Sequence, residues 1–239
     1  MSEAKSVLMI ASNPSTSTVT GWPVGFWWAE LTHPFLTFAE AGYDITIASP
    51  DGGDLAGDGY SDPEDDSGYS AGDIISLGFK HSKDHMARIK DTARLADLSP
   101  DGFDAVMVIG GQGPMMTMVD DQRTGDFIAA AYEAGKVVCA ICHGTVVLLK
   151  ARLSDGSLLV DGKTWTGFAN SEERYAEGAA GTKIQPFWIE DEAGKLDNTN
   201  FITAGPFVSF AHRDGRLVTG QQQNSGAAAA RKVIEALGK

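Results

Sequence analysis

The chain has 239 residues, of which 43% are apolar and 21% are charged, a composition ordinary for a globular protein with a buried core. Its 32 acidic residues outnumber its 19 basic residues and give a formal net charge of −13, which opposes binding to nucleic acid or to an anionic membrane. No apolar run approaches the ~20 residues of a membrane span, and no export signal is visible. The two cysteines, three residues apart, cannot form a disulfide framework. These features predict a cytoplasmic protein.

Apolar runs and helical patterns alternate along the first part of the chain. The run 6–12 is continuously apolar, as in strands that are buried on both faces of a parallel sheet. A helical pattern extends from about residue 25 to 41, and a second strand follows at 43–49. A strand, a helix and a strand in this order predict a right-handed βαβ unit.

The same alternation continues after residue 100. A strand is predicted at 103–109, a helix at 120–134 and a buried strand at 137–141. Further short strands and helices are predicted at 163–168, from 170 onward, and at 201–204, 216–219 and 226–237. This order predicts an α/β fold with a doubly wound, mostly parallel sheet and helices on both faces. In such sheets ligands bind outside the carboxyl ends of the strands.

Two segments between the second and third strands have a different character. Residues 50–72 are polar, Gly-rich and acidic, which predicts a surface excursion that serves as a lid or an oligomer arm. A hard-cation site at 62–66 is an alternative, although the spacing of an EF-hand is missing. Residues 84–97 carry apolar side chains at helical spacing and predict an amphipathic helix.

The most informative stretch is the buried strand 137–141 with Cys142, His143 and Gly144 directly after it. A corner between a strand and a helix would place Cys142 beside the unpaired N–H groups of the first helical turn. Such donors stabilise a thiolate, so we expect a thiol pKa below the usual value of about 8.5. We therefore predict a cysteine nucleophile elbow, in which a sharp turn presents the reactive side chain above the sheet.

Three other interpretations of this stretch are open. Cys142 is a buried structural cysteine in the first. In the second, Cys139 and Cys142 form a C-x-x-C redox pair, although a strand would turn Cys139 toward one face of the sheet. In the third, the cysteines and His143 form the C-x-x-C-H pattern of haem attachment, which requires an export signal.

A cysteine nucleophile needs a proton partner, a group that orients this partner, and donors for an oxyanion. His143 is the candidate partner. Glu173, near the start of a later helix, is a candidate to orient the imidazole, and Glu172 competes with it. Glu30 lies between apolar neighbours on the first helix, where burial would raise its pKa and suit it to acid/base work. The Gly-Gly corner at 110–111 offers bare N–H groups.

Several motifs occur in an order and spacing that extend over nearly the whole chain. They lie at 29–35, 41–53, 110–113 (GGQG), 140–144 (AICHG), 161–168 and 215–221. In this arrangement the sequence resembles the ThiJ/PfpI superfamily, in the branch that contains heat-inducible chaperones and glutathione-independent glyoxalase III enzymes. The resemblance implies a flavodoxin-like single domain over residues 1–239, a homodimer, and a site with no cofactor and no metal ion.

The resemblance also assigns roles to the candidate site residues. It implies that Cys142 is the nucleophile, that His143 is its neighbour, and that Glu30 is the carboxylate beside the thiol. Glu173 matches the third position of the triad. Gly111 and the backbone N–H of His143 would form the oxyanion hole.

The implied activity is the conversion of methylglyoxal or a related small carbonyl compound, a 2-oxoaldehyde, to a 2-hydroxy acid, the D-lactate dehydratase type of lyase. The aromatic residues Phe26, Trp27 and Trp28 predict a pocket wall with room for more than a three-carbon aldehyde. Two other functions remain open. One is a cysteine hydrolase or hydratase of a small substrate, amidase-like or deglycase-like. The other is a holding chaperone or redox-stress protein.

Overall fold

The structure is a computed structural model that describes residues 4–238, so residues 1–3 and 239 of the expected 1–239 unit lie outside it. The strands are β1 (Ser6–Ile10), β2 (Ser15–Thr16), β3 (Pro23–Val24), β4 (Asp44–Ser49), β5 (Ala93–Arg94), β6 (Ala105–Val108), β7 (Val137–Ile141), β8 (Thr164–Trp165), β9 (Asn200–Phe201), β10 (Ala211–Asp214) and β11 (Leu217–Gly220). The α-helices are α1 (Trp28–Glu40), α2 (Ile74–His81), α3 (Lys83–Ala87), α4 (Pro114–Thr117), α5 (Gln122–Glu133), α6 (Asn170–Ala180), α7 (Ile189–Ala193) and α8 (Gly226–Ala236).

A seven-stranded sheet forms the centre of the molecule, in the order β10-β11-β7-β6-β1-β4-β5. All neighbouring strands in it are parallel except β10, which pairs antiparallel with β11 at one edge. The short pairs β2–β3 and β8–β9 lie outside this sheet. The predicted doubly wound, mostly parallel α/β sheet is therefore confirmed.

Apolar side chains cover both faces of the sheet. Along β1, Val7 and Met9 belong to one buried cluster, which also receives side chains from α1 and α8. Leu8 and Ile10 belong to a second cluster, which receives side chains from α5. Because successive strand residues point to opposite faces, these continuous apolar strands need helices on both sides.

The prediction of a single helix over residues 84–97 is wrong. The chain forms α3, then an irregular turn, and then the edge strand β5. Asp91 in this turn has a φ of 46°, a left-handed conformation that ends a right-handed helix. Ile89 and Leu95 are both buried but belong to different core clusters. The two side chains are therefore buried on opposite sides of the sheet and not along one face of a helix.

Two other helices near the site differ from the prediction, one in its first residue and one in its type. The pattern that begins at residue 25 forms α1 only from Trp28, because Phe26 pairs with Gly57 as an isolated bridge and Trp27 has extended backbone angles. After β7 the chain forms a 3₁₀ helix, Cys142–Leu149, rather than an α-helix.

The acidic excursion 50–72 is tied to α2 by ion pairs. Lys80 Nζ lies 2.5 Å from Asp62 Oδ1 and 2.7 Å from Glu64 Oε2. Among residues 4–238, no group of three or more His, Cys, Asp or Glu side chains is placed to hold a metal ion. The hard-cation alternative for this segment therefore has no structural support. In the same residues, no helix is long and apolar enough to cross a membrane.

Because α1 packs on the sheet with one face, substitutions on its buried and exposed faces should lower the stability of the protein by different amounts. Phe38 is fully buried and stacks on Tyr43 with ring centroids 5.9 Å apart, whereas Leu36 is 39% exposed. We expect Phe38→Ala to lower the free energy of unfolding by about 3–5 kcal/mol, because it leaves a cavity. Leu36→Ala should change it by only about 0.5 kcal/mol, the usual surface effect. Urea unfolding followed by circular dichroism measures both, and equal losses would contradict the described packing.

Candidate active site

Cys142 occupies a strained corner at the carboxyl end of β7. Its φ is 53°, in the left-handed region that residues with a side chain rarely adopt. The corner joins the buried strand directly to the 3₁₀ helix Cys142–Leu149. Backbone strain of this kind occurs at nucleophile elbows, where a sharp turn lifts one side chain above the sheet. The backbone at Cys142 thus has the geometry that an elbow requires.

The turn after β6 lies directly against this corner. A Cβ atom added at Gly110 would lie 2.8 Å from Cys142 Cβ and would also overlap the carboxylate of Glu30. A Cβ atom at Gly144 would lie 2.9 Å from the carbonyl oxygen of Ile109. Only glycine therefore allows the β6 turn, the thiol and the carboxylate to meet in this space.

His143 connects the thiol with a buried carboxylate. Cys142 Sγ lies 3.5 Å from His143 Nδ1, and His143 Nε2 lies 2.9 Å from Glu173 Oε1. The side chains of His143 and Glu173 are only 3% and 1% exposed. Phe168 stacks on the imidazole with ring centroids 4.2 Å apart and holds its plane. The three side chains form a continuous Cys-His-Glu arrangement.

Glu172, which the sequence leaves as a competitor of Glu173, has different partners. It accepts hydrogen bonds from the backbone N–H of Ala169 at 3.0 Å, the backbone N–H of Phe207 at 2.8 Å and the side chain of Gln221 at 2.9 Å. Consecutive residues on a helix point in directions about 100° apart, so α6 aims only one of the two carboxylates at the imidazole. Glu172 instead joins the start of α6 to the segments around 207 and 221.

Glu30, from α1, approaches the thiol from the other side. It is fully buried, and neither carboxylate oxygen has a hydrogen-bond partner of normal geometry. Burial raises the pKa of Glu30 to about 8, and the nearby Cys142 thiol and Gly110 amide offset only part of this effect. At neutral pH the carboxyl therefore retains a proton.

The expectation of a thiol pKa below 8.5 is wrong for this site. Burial raises the pKa of Cys142 well above its ordinary value, and the charge of Glu30 raises it further. The backbone N–H of His143, at the start of the 3₁₀ helix, lowers the pKa but does not outweigh burial. Because an ionised Glu30 repels a thiolate and a protonated one does not, the thiolate forms most readily while Glu30 holds a proton.

A pocket opens above Cys142 and His143 and encloses about 970 Å³ of empty space when its mouth is included. Aromatic side chains form much of its wall: Trp22, Trp27, Tyr60, Tyr69, Phe168, Tyr175 and Phe207. Of the three predicted aromatic residues, only Trp27 lies in this wall. Phe26 and Trp28 are 0% and 5% exposed and pack in the core, with their rings 5.0 Å apart. They flank Trp27 in a segment that turns alternate side chains inward.

The acidic excursion 50–72, predicted to serve as a lid or an oligomer arm, forms part of this wall, but the sequence did not indicate the part played by Asp58. Asp58 is 3% exposed and accepts hydrogen bonds from the backbone N–H groups of Gly25, at 2.8 Å, and Gln112, at 2.6 Å. Burial raises the pKa of Asp58 to about 7. Asp58 is one of seven acidic residues in the segment, and no local pattern separates it from the others.

Of the two backbone donors implied for an oxyanion hole, the structure describes a contact with the thiol for one, the amide of His143. The amide of His143 interacts with the Cys142 sulfur and lowers its pKa. Gly111 has a φ of 107°, and a Cβ atom there would lie 2.5 Å from the backbone nitrogen of Trp27. Within residues 4–238, no acceptor pairs with the Gly111 amide, although Gly111 is buried.

Comparison with known proteins places this geometry in a family. Residues 24–236 match the model of the DJ-1/PfpI family. The chain belongs to this family. It is 30% identical to a probable glutathione-independent glyoxalase of Schizosaccharomyces pombe, over 91% of this chain and 92% of that one. It is 28% identical to glyoxalase 3 of Candida albicans, over 97% and 98% of the two chains.

A solved structure agrees with these sequence relatives. The crystal structure of glyoxalase III from Candida albicans superposes with a TM-score of 0.80 at 25% identity and covers 97% of both chains. The predicted membership of the ThiJ/PfpI group, in the branch with glutathione-independent glyoxalases, is therefore confirmed.

The buried Glu30 makes the stability of the protein depend on pH. Its folded pKa of about 8 exceeds the ordinary value of 4.5, so between these values the folded state holds a proton that the unfolded state releases. We expect Glu30 to reduce stability as pH rises through this window, by at most about 1.4 kcal/mol per pH unit. Glu30→Gln should remove this contribution, and urea unfolding between about pH 5 and pH 8 measures the difference.

The exposed Glu40 on the same helix supplies a matched control for this experiment. Glu40→Gln makes the same chemical change without altering a buried group, so its pH profile should follow that of the wild type. A Glu30→Gln profile that also follows the wild type would show that Glu30 is ionised in the folded protein.

Proposed function

We propose that this protein is a glutathione-independent glyoxalase of the glyoxalase III type, which converts methylglyoxal or a related 2-oxoaldehyde to a 2-hydroxy acid. The observation that carries the proposal is the placement of Cys142 between two proton-handling groups. The His143–Glu173 pair lies on one side of the thiol and the protonated carboxyl of Glu30 lies on the other. The names of the glyoxalase relatives support this assignment.

The first step is addition of the thiol to the aldehyde. A bond forms between the Cys142 sulfur and C1, the aldehyde double bond opens, and the thiol proton moves to the aldehyde oxygen through His143. Glu173 holds the imidazole in place and stabilises its charged form. The amides of Gly111 and His143 stabilise the oxygen while it is negative. The product is a hemithioacetal bound to the enzyme.

The second step moves a proton between two carbon atoms. A base removes the proton from C1, the electron pair forms a double bond between C1 and C2, and the C2 oxygen takes up negative charge and then a proton. Return of a proton to C2 and loss of the C1 hydroxyl proton give a thioester. Glu30 suits this work because its pKa of about 8 lies near neutral pH, so the fraction of Glu30 that is ionised accepts the C1 proton and the acid so formed returns a proton to C2. Water then hydrolyses the thioester to the 2-hydroxy acid and frees Cys142.

The pocket also accounts for independence from glutathione. The thiol of the enzyme adds to the aldehyde, so no soluble thiol is required. None of the described residues that line the pocket is Lys or Arg, and Asp58 contributes an acidic group. Such a lining disfavours anionic compounds, and glutathione adducts carry carboxylates. We infer a small neutral carbonyl compound as the substrate, while the homodimer implied by the resemblance stays a prediction.

The proposal is tested by lactate formation from methylglyoxal in the absence of glutathione. We expect the wild-type protein to be active and Cys142→Ala to be inactive with an unchanged fold. Cys139→Ala is the matched control, because Cys139 is buried in the core on one face of the sheet and should keep most of the activity. Activity in Cys142→Ala, or an equal loss in Cys139→Ala, would contradict the assigned nucleophile. Turnover of small amides or esters instead would favour the cysteine hydrolase, which uses the same groups.

The role of Glu30 is tested separately by Glu30→Gln. The amide keeps the size of the side chain but cannot carry a proton between carbon atoms. We expect turnover of methylglyoxal to fall by roughly 10²–10⁴, the usual contribution of a general acid/base. The pH dependence of Cys142 alkylation by iodoacetamide measures the thiol at the same time. A large change in alkylation with nearly normal turnover would show that Glu30 only adjusts the thiol.

A further inference from the structure

The side chain of Gln112 lines the pocket together with Cys142 and is held at two points. Its backbone N–H donates to Asp58 Oδ2 at 2.6 Å. Its side-chain Oε1 accepts a hydrogen bond from Nε2 of Gln185, which is itself fully buried. Among the residues that the structure describes, no acceptor pairs with Gln112 Nε2. The carboxamide is thus fixed by its oxygen and offers its N–H groups to a ligand.

Gln112 lines the same pocket as Cys142 and follows the glycine turn that packs against the thiol corner. It directly follows Gly110 and Gly111. A side chain at Gly110 would collide with Cys142, and the amide of Gly111 has no partner in the described structure. A 2-oxoaldehyde bound to Cys142 through C1 has its second carbonyl one bond away. The Gly111 and His143 amides serve the oxygen on C1, so a separate donor is needed for the oxygen on C2.

The reaction places negative charge on this second oxygen. When the proton leaves C1, the electron pair moves through C2 and the C2 oxygen becomes an enediolate. A donor that is already fixed in place stabilises such charge more than one that must reorient. The pocket supplies no lysine or arginine for the purpose, so the donor must be neutral, and the carboxamide of Gln112 is already held by Gln185.

We propose that Gln112 recognises the 2-oxo group of the substrate and stabilises the enediolate through Nε2, with Gln185 and Asp58 as positioning residues. This inference rests on the proposed glyoxalase function. A neutral donor also preserves the acid chemistry of the site. A cation at this place would lower the pKa of nearby carboxyls, whereas an amide leaves Glu30 able to hold its proton.

The test compares Gln112→Met, Gln112→Glu and the wild type with methylglyoxal as substrate. Methionine keeps the length of the side chain but removes the N–H donor. We expect kcat of Gln112→Met to fall by roughly 10²-fold, the effect of losing one preorganised donor, with a smaller change in KM. With substrate deuterated at C1, the isotope effect on kcat should increase, because proton removal becomes more strongly rate-limiting. Gln185→Met should change kcat and the isotope effect in the same direction but less.

Alkylation of Cys142 by iodoacetamide separates this role from an effect on the thiol or the fold. Alkylation requires the thiol but no enediolate, so its rate should be the same in Gln112→Met and the wild type. Gln122→Met is the matched control, since Gln122 is exposed at the start of α5 and receives the same chemical change. Its kinetics should equal those of the wild type.

The outcomes that overturn the inference are distinct. If Gln112→Met keeps kcat within about 2-fold, or loses alkylation in parallel with kcat, Gln112 does not stabilise the enediolate. If Gln112→Glu remains fully active, the oxygen of the side chain matters rather than its N–H donor. A wild-type protein that does not convert methylglyoxal overturns the proposed function, and this inference with it. An active wild type with unaffected Gln112 variants overturns the inference alone.

Discussion

The burial of the Glu30 carboxyl against the Cys142 thiol is the constraint on which the rest of the site depends. Both groups are buried, so each resists ionisation, and a charge on one makes a charge on the other more costly. The pair therefore tends to hold at least one proton at neutral pH. The bare corner at Gly110 is needed because this pair occupies the space that a side chain would take.

The other buried carboxylates are distinguished from Glu30 by their donors. Glu172 accepts three hydrogen bonds, Asp58 accepts two backbone N–H groups, and Glu173 binds the imidazole of His143. Each donor stabilises the ionised form and fixes the carboxylate in place. Glu30 alone among these four has no partner of normal geometry. The donors thus fix the other three carboxylates in place, although burial also raises the pKa of Asp58 to about 7, whereas Glu30 lies against the thiol without such a donor.

Much of this arrangement was predictable because it is local in sequence. Continuous apolar runs indicated a buried parallel sheet, and the Cys142–His143 pair after the last run indicated the elbow. Contacts between distant segments could not be derived from the local pattern. The resemblance placed Glu30 beside the thiol across 112 positions, but nothing in the sequence indicated that Glu30 raises the thiol pKa or that Asp58 of the acidic excursion is buried at the pocket. The prediction of an aromatic pocket wall was wrong for Phe26 and Trp28, because composition does not reveal the direction in which a side chain points.

In the proposed mechanism, the polar groups of the site are divided between two kinds of work. Carboxyls and the imidazole would handle protons, whereas the Gly111 amide and the Gln112 carboxamide would serve as neutral donors to transient negative oxygen. A site built this way stabilises charge only while the reaction develops it, and it does not attract substrates that are already anionic. The chain as a whole carries a formal net charge of −13, which acts in the same direction. Two expected properties of the proposed site, selection against anionic adducts and stabilisation of the enediolate, therefore have one cause. The hydrogen-bond donors are neutral amides and not Lys or Arg side chains.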